Sequence, residues 1–185
     1  MRLFVAVPAA EGFLEEASLA QSLLRTAGAD VKWVNPECLH FTLHFLGEAE
    51  LAGVPEVVSA LDCVKSANPF VMRTAGLGFF PGSEKPEVVW LGAENTEPLA
   101  ELRTLLAGRL AALGFEIDSR LFVPHLTLGR VKSPRNCAAL AEKAGSLACS
   151  GAVMTVNSVV LFESVLKPDG PQYRRLGAAH LGDEF

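Results

Sequence analysis

The run Leu39-His40-Phe41-Thr42-Leu43-His44-Phe45-Leu46-Gly47 is where the fold class is read, because bulky apolar residues alternate in it with His and Thr before the chain meets a glycine. A period of two belongs to a β-strand, in which residues two apart project from one face. His40, Thr42 and His44 are therefore expected on one face, with Phe41, Leu43 and Phe45 turned to the core. The pattern returns at Pro124-His125-Leu126-Thr127-Leu128-Gly129, 85 residues further on (125 − 40). Gly129 stands there in the place of His44. Each segment offers one imidazole beside one hydroxyl, and two such strands facing each other across a cleft would make one active site from two halves.

Around these strands the chain has the means to build a core. It has 185 residues, half of them hydrophobic, enough for one domain made of two small lobes. A net charge of −5 argues against a protein coated in basic surface to hold long nucleic acid. One local basic stretch exists: residues 119–141 contain Arg120, Arg130, Lys132 and Arg135 and no acidic residue, with the second His-x-Thr in their midst. A small anionic ligand fits such a place. The four cysteines, Cys38, Cys63, Cys137 and Cys149, form neither a Cys-x-x-Cys nor a dense framework, which suits reduced thiols in a cytoplasmic protein. The opening Met1 to Val7 is too short an apolar run for a signal segment and is stopped by Pro8, so it reads as a first strand. No stretch approaches the roughly 18 apolar residues of a membrane span.

Helical spacing covers Glu11 to Ala27 with Gly28 placed to end it, Val54 to Ala67, Pro98 to Leu113 before Gly114, and Pro134 to Leu147 with Ser133 as N-cap. Strands are expected at Trp33-Val34, Phe70 to Phe79, Val88 to Leu91 and Val156 to Val165. The tail Lys167-Pro168-Asp169-Gly170 reads as a turn, and His180 as a solvated residue. Strands and helices mix without strict alternation, so the fold class is α+β, with largely antiparallel sheets flanked by helices and a cleft between lobes.

Two imidazoles with ordinary pKa near 6.5 can divide labour at neutral pH, one accepting a proton while the other donates one, with a bell-shaped pH profile around neutrality. The hydroxyls of Thr42 and Thr127, with Arg130 nearby, suit the non-bridging oxygens of a phosphate. In-line displacement at phosphorus places acid and base on opposite sides of it, as facing strands do. Strict alternation puts Arg130 on the face opposite His125, so it reaches a phosphate only where the strand twists or ends near Gly129. A metal site on His40 and His44 is disfavoured: four strand residues span about 13 Å, too far for both rings to reach one ion. Cys38 beside His40 makes a weak nucleophile candidate, because nothing supplies an orienting third partner. His44 is a candidate substrate contact, and Tyr173 offers a ring for stacking on a base.

The chain resembles the 2H phosphoesterase superfamily, and within it the RNA 2′,3′-cyclic phosphodiesterases also called 2′-5′ RNA ligases. The resemblance is carried by Met1 to Val7, by Trp33-Val34 through Gly47, by Pro124 to Arg130, and by Leu161-Phe162-Glu163-Ser164-Val165-Leu166 through Gly170 to Tyr173. It implies a single bilobal α+β domain over residues 1–185 with a pseudo-two-fold axis, and neither metal nor other cofactor. It also implies hydrolysis of a 2′,3′-cyclic phosphate, at an RNA 3′ end or on a nucleotide, to a 2′-phosphate. His40 is then the acid that protonates the departing O3′, His125 the base for water, and Thr42, Thr127 and Arg130 the phosphate ligands; a pseudo-symmetric site permits the reverse pairing of acid and base. Where the family often carries a basic residue this chain has His44. ATP-independent 2′,5′ ligation by the reverse reaction and a non-catalytic RNA-end binding module are the alternatives. A monomer is adequate for a site contained in one chain.

Overall fold

The computed structural model describes residues 1–167 and 170–182. The first strand, β1 (Arg2–Pro8), leads into helix α1 (Glu11–Arg25), a short strand β2 (Val31–Trp33) and the motif strand β3 (His40–Glu48). Helix α2 (Val54–Ala60) follows, then β4 (Phe70–Phe80), β5 (Val88–Glu94) and helix α3 (Glu97–Ala112). The chain continues through β6 (Leu126–Val131), α4 (Cys137–Ser146), β7 (Val153–Val156), β8 (Ser158–Lys167) and β9 (Gly170–His180). These make two sheets of orders β3-β1-β8-β9 and β2-β6-β5-β4-β7, and every pairing in them is antiparallel. The α+β class expected from the sequence is the class observed.

The lobes do not follow the halves of the chain. The sheet that carries His40 joins β1 and β3 to the last two strands, while β2 and the strands β4 to β7 build the sheet that carries Thr127. One hydrophobic cluster runs through both, from Leu3, Val5 and Phe41 to Leu91, Leu126 and Leu128. Each helix buries one stripe against it, α1 by Phe13, Ala17, Ala20 and Leu24, and α3 by Leu99, Leu102, Leu106 and Leu110. Burying such side chains stabilises by about 1.5–3 kcal/mol each relative to exposure. No helix among the described residues is long and apolar enough to cross a membrane.

Several boundaries differ from expectation for local reasons. The second helix is α-helical only to Ala60 and tightens into 3-10 turns over Leu61–Ser66. The fourth starts at Cys137 rather than Pro134, because Asn136 takes a left-handed backbone (φ 55°) that no helix can continue through, and Ser133 caps nothing. Pro168 and Asp169 of the expected tail turn lie outside the described residues. From Gly170 onward the tail is strand β9, paired along its length with β8. His180 is exposed at its end.

Candidate active site

Both motif strands bend at the same place. In β3, His40 pairs with Pro8 and Thr42 with Ala6, but the next pair is His44 with Val5, so Leu43 has no partner and forms a bulge. One extra residue reverses the alternation beyond it. His44 therefore turns to the core face against α3, where it is 3% exposed and its Nε2–H donates to the Arg103 carbonyl at 2.7 Å. Phe45, expected in the core, takes the catalytic face instead, pairs with Phe4 and is 68% exposed. Two sequence expectations are thereby exchanged. His44 does not share a face with His40, which removes it from the cleft and from any metal site with His40.

The second motif repeats the device. His125 lies just ahead of β6; Thr127 pairs with Trp90 and Gly129 with Val89, which skips Leu128, and Arg130 pairs with Val88. This bulge carries Arg130 back to the face of Thr127. Its charge is felt by both His125 and Tyr173. Lys32 of β2, opposite Arg130, shares that face. Gly129 occupies the place of His44, and only a glycine fits there, since a Cβ would stand 2.6 Å from Cγ1 of Val31.

In each half a helix side chain reaches the carbonyl of the bulged residue; that of Leu128 also accepts from the Val34 N–H at 2.9 Å. The Leu43 carbonyl accepts from Nε of Arg103 on α3 at 3.3 Å, and the Leu128 carbonyl accepts from Nε2 of Gln21 on α1 at 2.9 Å. Gln21 also donates to the Val34 carbonyl at 2.8 Å. Arg103 reaches further, donating to the Asp118 carbonyl and lying 4.9 Å over the Phe122 ring, on the segment that leads into His125. Sequence reasoning missed both residues. The available signal was Gln21 on the apolar stripe of α1, a polar side chain where burial demands a partner.

The two histidines are held alike. Nδ1–H of His40 donates to the Cys38 carbonyl and Nδ1–H of His125 to the Val123 carbonyl, each at 2.7 Å and each two residues back. A carbonyl only accepts, so each neutral ring carries its proton on Nδ1 and leaves Nε2 free for chemistry. Burial pushes both imidazoles below the ordinary histidine pKa; the backbone bonds oppose this, and the charge of His125 lowers His40 further. The rings are thus close enough to feel each other. Aromatic walls fix them: Phe4 and Tyr173 lie 4.8 and 5.2 Å from His40, and Phe80 and Trp90 lie 4.8 and 6.4 Å from His125. Gly78 makes room for the Trp90 indole, whose ring would collide with a Cβ there. Burial raises the Tyr173 pKa, and its hydroxyl stays protonated.

The structure accordingly brings His40, Thr42, His125, Thr127, Arg130 and Tyr173 together, and excludes His44. Of the basic stretch, Arg120 is occupied by Asp118 at 2.6 Å, and that contact holds the Asp118 carboxyl well below the usual carboxylate range.

A sequence profile of the 2′-5′ RNA ligase superfamily matches residues 9–167 of this chain. The chain belongs to that superfamily. Among its relatives, the RNA 2′,3′-cyclic phosphodiesterase of Methanothermobacter thermautotrophicus is 42% identical over 177 residues, covering 94% of this chain and 95% of the relative. The protein of the same description from Archaeoglobus fulgidus is 37% identical, covering 95% and 98%. A solved structure, TT0787 of Thermus thermophilus, superposes over the whole of both chains with a TM-score of 0.82 at 30% identity. Escherichia coli LigT in its apo form shares the fold at a TM-score of 0.79 and 23% identity, over 97% of this chain and 96% of its own.

Proposed function

We propose that this chain is a hydrolase that opens RNA 2′,3′-cyclic phosphates to 2′-phosphates. The observation that carries this reading is the pair of imidazoles, fixed in one tautomer by matching carbonyls, with Nε2 free on each and a threonine beside each. In the mechanism that fits, Thr42, Thr127 and Arg130 bind the non-bridging oxygens and stabilise the charge that grows on them. His125 Nε2 takes a proton from water as the water oxygen bonds to phosphorus. The P–O3′ bond breaks on the opposite side, and His40, protonated on Nε2, gives that proton to O3′. The phosphate remains on O2′, and both histidines have exchanged charge.

The names of the relatives support the substrate class, and the RNA 3′ end or a nucleotide bearing the cyclic group is the proposed ligand. The protein acts as a monomer in this reading, since every group of the cleft comes from one chain. A cytoplasmic location is proposed with it, on four cysteines that stand unpaired. The deciding experiment incubates purified protein, in EDTA and without ATP, with a short RNA ending in a 2′,3′-cyclic phosphate, and resolves 2′- from 3′-phosphate products. Formation of the 2′-phosphate supports the reading. Binding without turnover replaces it with an RNA-end binding module, and a 2′,5′-joined product in the presence of a 5′-hydroxyl RNA identifies the reverse reaction.

A further inference from the structure

Positive charge gathers at one end of the cleft, on the sheet that carries Thr127. Strand register sets Lys32 of β2 directly opposite Arg130 of β6. Residues so paired point to one face with Cβ atoms about 4.5–5.5 Å apart, and like charges in that position repel each other. Both side chains are exposed, and neither forms an ion pair with a carboxylate among the described residues. The residue on the other side of Arg130 is Val88, which supplies no counter-charge. Arg2, Arg120 and Arg174, by contrast, each lie against a carboxylate. Two cations are thus held side by side, at some cost to the fold, with no anion between them.

Lys32 also does more than extend into water. Its side chain leaves one sheet and lies against the first residue of β9 in the other, where a Cβ on Gly170 would stand 3.6 Å from Nζ and 3.7 Å from Cε. The ammonium therefore spans the mouth of the cleft from lobe to lobe. Three residues along β9 from that contact stands Tyr173, which walls His40 and feels the charge of Arg130. Lys32 and Arg130 accordingly flank the same end of the cleft.

The charge of the ligand changes during the reaction argued above. A 2′,3′-cyclic phosphate is a diester with a single negative charge. The 2′-phosphate it becomes is a monoester carrying about −1.5 to −2 at neutral pH, because its second pKa lies near 6. One cation matches the diester, and the second is matched only once the ring has opened. We propose that Lys32 is a phosphate-binding residue that, paired with Arg130, recognises the phosphomonoester dianion of the product in preference to the cyclic diester. The proposal rests on the function argued above and adds to it a built-in restraint, since accumulated 2′-phosphate ends then hold the cleft.

The test uses two ligands that differ by one charge, adenosine 2′-phosphate and its methyl ester, titrated calorimetrically against the purified protein at about pH 8, where the monoester is a dianion. Wild type should bind the monoester the more tightly. Lys32→Met keeps the apolar stem and should weaken the monoester roughly tenfold but the methyl ester by less than about twofold, and Lys32→Arg should restore most of the loss. Without ligand, Lys32→Met should melt at or above the wild-type temperature, because it relieves the repulsion with Arg130. Equal weakening of both ligands, weakening of neither, or a wild type that does not prefer the monoester would overturn the assignment, and a lower melting temperature would show that Lys32 serves the fold instead. None of these readings needs turnover, so they stand apart from the hydrolysis assay. In that assay Lys32→Met should raise the inhibition constant of adenosine 2′-phosphate by more than it raises KM for the cyclic substrate.

Discussion

The His40 half and the His125 half of the cleft are built by one rule and finished differently. Each sets a histidine at a strand entrance, turns its Nε2 free by a carbonyl two residues back, and bulges one residue after the threonine. Each has its bulge carbonyl held by a helix, through Arg103 in one half and Gln21 in the other. The difference lies at the fifth residue after each histidine. One half presents Phe45 and an aromatic row, the other Arg130 with Lys32 beside it. In the proposed mechanism the shared frame makes two proton-transfer sites, and the fifth residue sets rings on one side of the phosphate and positive charge on the other. An asymmetric substrate, with a nucleoside on one side and water on the other, calls for such an asymmetric pair.

The sharpest break of the comparison is loss of either histidine. His40→Ala and His125→Ala should each cut turnover by about 10²–10⁴-fold while circular dichroism stays that of the folded protein. Wild-type turnover in either variant would falsify the bis-histidine mechanism. Next in size is the fifth residue of the second half. Arg130→Ala should lower kcat by about tenfold or more, with Arg130→Lys recovering only part of it, because a point charge replaces a planar fork. Unchanged kcat in Arg130→Ala would place the phosphate elsewhere.

The carbonyl clamps come third. Gln21→Leu removes the side-chain donor from the Val34 carbonyl and one of the donors to the Leu128 carbonyl, which keeps the Val34 N–H, and should cost about 1–3 kcal/mol in a denaturant titration. Arg103→Ala strips donors from the Leu43 and Asp118 carbonyls together with the Phe122 ring contact, and should cost a comparable amount. No loss in either variant would show that the halves are held by other means.

Titration gives the smallest and most diagnostic effects. Burial lowers the pKa of His40, His125 and His44 in the folded state. Unfolded chains therefore bind protons first as pH falls, and the stability contributed by these neutral rings is complete above pH 6.5 and lost below it, as pH passes through the folded values. His44→Gln, which keeps a donor for the Arg103 carbonyl and loses the titration, should flatten part of that decline. The same shifts move the expected bell of kcat/KM from neutrality to a maximum below pH 6.5, with apparent values that belong to the coupled pair. A maximum above pH 7 would mean that the free enzyme does not hold its two imidazoles below the ordinary histidine value.

Much of this was legible in the chain. The alternation in residues 39–47 and 124–129 pointed to two strands, and the pairing of His40 with Thr42 on one face needs nothing more than a period of two. The same period failed one residue later, at the bulges of Leu43 and Leu128, whose carbonyls meet helix side chains from distant sequence. Phe45 and His44 were misplaced for that single reason, while for Arg130 the bulge is the irregularity near Gly129 that its expected reach required. Strand β9 was hidden by its Gly, Pro and Arg content, and its pairing with β8 rather than its own composition makes it a strand. Arg103 carried no local mark of its role, since a helix reads the same whether its polar residue meets water or a buried carbonyl, whereas Gln21 was marked only by its place on the apolar stripe of α1.

The interleaving of the two sheets has a consequence for how the molecule comes off the ribosome. Strand β1 is made first, yet its partner on one side, β8, starts only at Ser158. A nascent chain that has completed the sheet bearing Thr127 still lacks β8 and β9, and with them the Phe162 and Tyr173 rings that wall His40. Until those residues emerge the chain can hold one finished half of the cleft and no substrate-ready enzyme, so competence arrives in a single late step rather than lobe by lobe.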